Sequence, residues 1–135
     1  MIHVVIDTNI RISSLSVKSS GHWIVNAFLQ ERFHLIVSTE ILLEYEEKLK
    51  EKYALHVADD FLEAIGIAVN VSETTPHFHW NLIKDTDDNK FSDCAIASGA
   101  DYLVTEDHDF NLLKQTQFPR VTVINLSEFK MLLGI

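Results

Sequence analysis

The chain is poor in the residues that staple or punctuate a small protein. It has one cysteine, Cys94, with two prolines and four glycines in 135 residues. A lone cysteine excludes an intrachain disulfide and fits a reducing compartment, so a cytoplasmic location is expected. No Gly/Ser/Pro-rich linker, internal repeat or low-complexity stretch interrupts the sequence, and residues 1–135 read as a single domain around one core. No apolar run approaches the roughly 18 residues needed to cross a bilayer. The start, "MIHVVIDTN", lacks the basic residues and cleavage site of a signal peptide, and no membrane partner is expected. Basic residues are scarce too: 11 Lys and Arg stand against 20 Asp and Glu, a net charge of −9. That argues against a simple electrostatic nucleic-acid binder. It does not argue against a site that gathers carboxylates around divalent cations, which is acidic without its metal.

What is present is ordinary globular patterning, with 47% hydrophobic and 23% charged residues. "IHVVI" (2–6), "HLIVS" (34–38), "YLV" (102–104) and "VTVIN" (121–125) read as buried strands. Helices are expected over "SGHWIVNAFLQERF", capped by Ser19 or Ser20, and over "TEILLEYEEKLKEKY", opened by Ser38 or Thr39. Others are expected at 58–69 with Asp59 or Asp60 at the start, at 88–100 with Gly99 as terminator, and from Ser127. "NVSETTPHFHW" reads as a loop, or as a short strand running into one. Alternating strands and helices predict an α/β fold, with a parallel sheet covered on both faces as a three-layer α/β/α sandwich. The strand C-termini of such a sheet share one edge, where ligands bind.

The acids fall at places that this edge would unite. "VVI" ends in Asp7, and "YLVT" runs into Glu106, Asp107 and Asp109. The helix after "HLIVS" carries Glu40 and Glu44, and "DTDDNKF" opens another with Asp85, Asp87 and Asp88. A lone acid at a strand end is usually a turn former or a cap. Four such groups converging raise one another's pKa unless a cation compensates them. An all-oxygen set suits Mg²⁺ or Mn²⁺ better than Zn²⁺. Such a set points to metal-dependent phosphoryl transfer or phosphodiester hydrolysis.

The ordered segments "VVIDTNI", "LIVSTEILLEYEEKL", "DTDDNKFSDCAIASGADYLVTEDHDF" and "VTVINLSEF" resemble the PIN-domain nucleases, closest to the bacterial toxins of the VapC type. The resemblance covers nearly the whole chain. It implies a PIN-like α/β/α sandwich, Mg²⁺- or Mn²⁺-dependent cleavage of RNA, a small antitoxin as partner and a homodimer. Carried over by position, Asp7, Glu44, Asp88 and Asp107 are the catalytic and metal-binding acids. Thr8, Asn9 and Thr105 are expected to complete the motif and to hydrogen-bond the site or the substrate phosphate. Glu40 lies one turn before Glu44, but the motif spacing favours Glu44. Asp93 flanks the third position beside Asp88 and is a candidate further ligand or supporting residue. Asp109 is either another ligand or the cap of the short helix "FNLLK". Glu106 stands where relatives often carry glycine, which puts the local loop geometry in question.

The remaining residues read more plainly. His77 and His79 with Trp80 look like exposed decoration rather than a metal site or a base-stacking surface. Cys94 reads as a small buried hydrophobe, and the "KLKEK" run (48–52) as a solvated helix face. Lys48, Lys50, Lys90 and Arg11 are the candidate contacts for RNA phosphates, Arg11 bordering the cleft. The competing reading is a PIN fold that has lost activity and serves as an interaction module. A receiver-like domain is disfavoured because neither the paired acids nor the late lysine it needs is evident.

Overall fold

The computed structural model describes residues 1–135. Five strands form its sheet: β1 (His3–Ile6), β2 (His34–Val37), β3 (Val71–Glu73), β4 (Tyr102–Val104) and β5 (Val123–Ile124). All neighbours pair in parallel, in the order β3-β2-β1-β4-β5. The chain builds outward from β1 to β3 on one side, then returns to β1's other edge for β4 and β5. The order therefore reverses between β1 and β4, where a crevice opens at the strand C-termini. Of the two readings of 70–80, the short strand running into a loop holds: β3 occupies 71–73 at the sheet edge. It starts at Val71, beside the buried Asn70, whose side-chain amide donates to the carbonyls of Phe28 and Phe33, both at 3.0 Å.

Six helices cover the sheet in the expected α/β/α layering: α1 (Thr8–Ser13), α2 (Trp23–Leu29), α3 (Thr39–Lys52), α4 (Leu55–Ile67), α5 (Asn89–Ser98) and α6 (Leu126–Leu133). No helix is long and apolar enough to cross a membrane. β1, β2 and β4 supply fully buried Val and Leu side chains to a core that continues into Ile41, Tyr45 and Leu49 of α3 and Phe91 and Cys94 of α5. Those α3 residues recur at helical spacing, so one stripe meets the sheet while the charged remainder faces water. Cys94 is the buried hydrophobe expected, with burial pushing its thiol up to about 12.

Several helix starts differ from the sequence expectation. Ser38 does cap α3, accepting from the Ile41 N–H at 3.2 Å. Neither Ser19 nor Ser20 caps α2, which begins at Trp23; the Ser19 hydroxyl instead closes a turn onto the Gly21 N–H. α4 starts at Leu55, so Asp59 and Asp60 are exposed on its outer face rather than at its cap. α6 is opened by Asn125 in a reciprocal cap with Glu128, which displaces Ser127 from that role. Helix α1, too short to show a periodicity, is nucleated by Asp7, whose carboxylate accepts from the Asn9 N–H. Gly99 terminates α5 as expected, at φ 66°, a left-handed conformation that a Cβ would penalise.

Candidate active site

The crevice between β1 and β4 is walled by acids. Asp7 leaves the end of β1 and is 6% exposed. One of its oxygens accepts from the Asn9 N–H and the other from the Thr105 hydroxyl at 2.8 Å. Thr105 is buried at the end of β4 and also accepts from the Asp107 N–H at 3.0 Å, so it couples the two strand ends. Burial raises the Asp7 pKa, the Thr105 and Asn9 bonds oppose it, and the charges of Asp107 and Glu44 raise it further.

Glu44 reaches the crevice from the second turn of α3. Its carboxylate takes a short hydrogen bond from the Thr8 hydroxyl and a 2.8 Å ion pair from Lys90 on α5. Both members of that pair are largely shielded, with side chains 17% exposed. Lys90 is therefore bound to the site and is not a free contact for RNA phosphate. Glu40, one turn earlier, is exposed.

The acids of "DTDDNKF" divide as the chain turns through a short 3₁₀ segment, Thr86–Asp88. Asp85 caps it by accepting from the Asp87 N–H, and Asp87 is exposed. Asp88 is half-buried, and its carboxylate oxygen lies within 4.8 Å of those of Asp107 and Asp109. Its pKa is pushed up to about 7, by desolvation first, then by Asp85, Asp107, Asp7 and Asp109. Asp107, not Asp109, caps the 3₁₀ helix His108–Lys114, accepting from the Asp109 N–H at 2.9 Å. Asp109 is thus free to join the other two acids.

Other candidates go elsewhere. Asp93 is buried but turned from this group: it accepts from the Trp80 N–H at 3.1 Å and faces His79 Nδ1 at 3.4 Å. Glu106 accepts from the Leu126 N–H, at the positive end of α6, so its extra charge is drawn away from the crevice. Asn9 contributes its backbone to Asp7 and lines a polar depression with Lys48 and Lys52. Arg11 does not border the crevice. It is buried between α1, α2 and α4, its guanidinium 5.1 Å and 4.9 Å from the ring centroids of Phe28 and Phe61. Sequence reasoning gave no warning of the Lys90–Glu44 pair, although a lysine two residues past Asp88 was a signal available to it.

The donor set of Asp7, Asp88, Asp107 and Asp109 is all carboxylate, and its like-charge pressure on Asp88 is what a hard divalent cation relieves. Mg²⁺ or Mn²⁺ fits these residues; a thiophilic metal does not. The acids thus meet at the switch point of a parallel α/β sheet, the place where ligands of such sheets bind.

The sequence model of the PIN domain matches residues 3–109, and the chain belongs to the PIN-domain family. A search of curated proteins by sequence gives no match. Among solved structures, the chain is similar to that of VapBC2 from Rickettsia felis bound to a DNA fragment from its promoter. That match has 16% identity, a TM-score of 0.64, and covers 92% of this chain and 98% of the other. It is similar also to VapC20 of Mycobacterium tuberculosis, described as a sarcin-ricin-loop-cleaving toxin, at 14% identity and TM-score 0.59, over 81% and 93% of the two chains. A DNA-bound VapBC from Salmonella typhimurium matches at 18% identity and TM-score 0.59, over 93% and 99%. At these identities the likeness is one of fold.

Proposed function

We propose that this chain is a metal-dependent endoribonuclease that hydrolyses RNA phosphodiester bonds in the cytoplasm, as the toxin of a toxin–antitoxin pair. The observation that carries this reading is the meeting of Asp88, Asp107 and Asp109 within 4.8 Å, beside the buried Asp7, at the sheet's switch point. Asp7, Asp88 and Asp107 are the residues that would hold Mg²⁺ or Mn²⁺, with Asp109 in place of the expected Glu44, whose carboxylate is already engaged by Thr8 and Lys90. Bound there, the cation would supply Lewis-acid charge to the scissile phosphate and a water of lowered pKa. Thr105 fixes the Asp7 carboxylate and, through the Asp107 N–H, the start of the loop bearing the other acids. Thr8 and Lys90 hold Glu44 in place, and the Lys90 charge offsets the negative charge that an RNA phosphate must approach.

The toxin role is supported by the fold shared with the VapC and VapBC structures. Support for a small antitoxin partner comes from the apolar cavity of about 400 Å³ between α2 and α4, with exposed Leu29 on its wall and exposed Leu55, Ile67 and Val69 elsewhere along α4 and just beyond it. A homodimer belongs to the same reading. The test is cleavage of a mixed single-stranded RNA pool with Mg²⁺ or Mn²⁺, comparing the native chain with Asp7→Asn and Asp88→Asn. Cleavage that requires both metal and acids is expected; a native chain that neither cleaves nor binds the metal overturns the reading.

A further inference from the structure

Three aromatic side chains stand together on the surface beside α5. Phe78 is 64% exposed and Phe118 82% exposed, with half-buried Trp80 between them. The Phe78 and Trp80 ring centroids are 4.7 Å apart, and Trp80 meets Phe118 nearly edge-on at 5.8 Å. Read as sequence, "HFHW" passes for exposed decoration; the structure shows a fixed segment. The Trp80 N–H donates to the buried Asp93 carboxylate, which also faces His79. Three residues on, both the N–H and the carbonyl of Ile83 are bonded by the Asn89 side-chain amide, at 2.9 and 3.1 Å. Asn81, between these two clamps, holds a left-handed φ of 53°, which asparagine tolerates better than most residues.

Both clamps belong to α5, the helix that follows directly from Asp88. Asp93 lies five residues past Asp88, roughly 7–8 Å along the helix axis. The segment bearing Trp80 is thus tied to the same helix that opens at Asp88, on a different side of it. The surroundings of the rings also differ from those of the α2–α4 cavity, whose wall is mainly aliphatic with two Phe rings, broken by Arg11, His56 and Asp60. Here the flanking residues are His77, His79, Asn81, Lys84 and Arg120, all exposed. Aromatic faces interleaved with polar and basic side chains, in a chain of net charge −9, match a stacked nucleobase and its phosphate better than an apolar protein surface.

We propose that Phe78, Trp80 and Phe118 form a base-stacking platform for unpaired nucleotides of the strand whose backbone lies at the acid cluster. This rests on the ribonuclease reading above and assigns the place where unpaired bases of that substrate are held. Asp93 and Asn89 act as positioning residues for the platform and not as metal ligands.

The test is fluorescence-anisotropy binding of a short randomised single-stranded RNA, and of a fully paired duplex, in Mg²⁺. Asp7→Asn serves as background to prevent turnover, and Phe78→Ala, Phe118→Ala and the double variant are added to it. Both phenylalanines are exposed, and thermal melting checks that truncation leaves the fold intact. The double variant is expected to bind the single strand on the order of 10-fold or more weakly, with duplex binding unchanged. Equal single-strand binding by the double variant, or no single-strand binding in the background chain, overturns the proposal. So does ring-dependent self-association in sedimentation with RNA binding unchanged, which would assign the rings to a contact between copies. Cleavage by the native chain is measured separately. Ring-dependent binding without cleavage upholds the platform and defeats the ribonuclease reading, whereas cleavage with a KM indifferent to both rings does the reverse.

Discussion

Asp7 and Arg11 stand one helical turn apart on the chain, oppositely charged and equally hidden at 6% and 3% exposure. They are accommodated by different means. Asp7 faces the crevice with hydrogen bonds from Thr105 and Asn9 and with further acids nearby. Arg11 faces the opposite way, where no acceptor meets its Nε or Nη1, and two phenylalanine rings flank it instead. Burial pushes each toward its neutral form: the Asp7 carboxyl upward, the Arg11 guanidinium down to about 10. Tyr45 lies close to both charges, its hydroxyl donating to the Ile6 carbonyl at 2.6 Å. The contrast teaches that a buried charge is not by itself a sign of chemistry. A charge held by directed hydrogen bonds among like charges is arranged to meet a counter-ion. A charge held by ring faces is arranged to be enclosed.

The largest effect that would break this contrast is on cleavage. Asp7→Asn keeps the volume and removes the charge, so RNA hydrolysis should fall roughly 100-fold or more while the metal-free melting temperature rises. Arg11→Met should also raise the melting temperature, because about 1 kcal/mol or more of uncompensated desolvation outweighs the lost ring contacts, but cleavage should stay within about twofold. Arg11→Ala should instead destabilise by about 2–4 kcal/mol through the cavity it leaves. Equal loss of cleavage in Asp7→Asn and Arg11→Met would erase the distinction; calorimetry and a pooled-RNA assay on the same preparations check both.

A smaller effect is expected at the residue between them. Tyr45→Phe should cost about 1–2 kcal/mol in urea unfolding, since it leaves the buried Ile6 carbonyl without its donor. A pH dependence is expected as well. With its pKa at about 7 against an ordinary 3.8, Asp88 in the folded protein keeps a proton that the unfolded chain releases. Metal-free stability should therefore decline as pH rises from about 4 to 7 and level off above. Mn²⁺ should raise the melting temperature more at pH 8 than at pH 5, because the carboxylates must be ionised to bind it. A metal-free melting temperature flat across that window would show that neither burial nor the neighbouring acids hold the Asp88 carboxyl up.

The sequence made the sheet legible because its inner strands are short apolar runs, two of which lead into acids, and two periodicities separate them from the helices. That the segments bearing Asp7, Asp88 and Asp107 share one edge followed from parallel order; the choice of Asp88 and Asp107 within them came from the family resemblance. Partnerships across the fold followed from neither. Helical spacing places Glu44 on a face of α3 but says nothing of Lys90, 46 residues away, which stands across from it. The same is true of Asp93, whose position near Asp88 suggested the site and whose hydrogen bonds run to the 79–80 segment. Arg11 misled for a related reason: four residues past Asp7 fixes its distance along the chain, while the short helix α1 turns it toward Phe28 and Phe61.

The order of the strands also sets an order in time. β1 emerges first and lies at the middle of the sheet, yet one of its edges waits for residues 102–104, where Val4 pairs with Tyr102 and Ile6 with Val104. Pairings so far apart in sequence form slowly, since the closure of a long loop precedes any contact that rewards it. Until β4 docks, Asp7 lacks its Thr105 hydroxyl, and Asp107 and Asp109 have not reached Asp88. A nascent or half-folded chain thus carries acids but no cluster. The topology delays assembly of the acid cluster until β4 is in place.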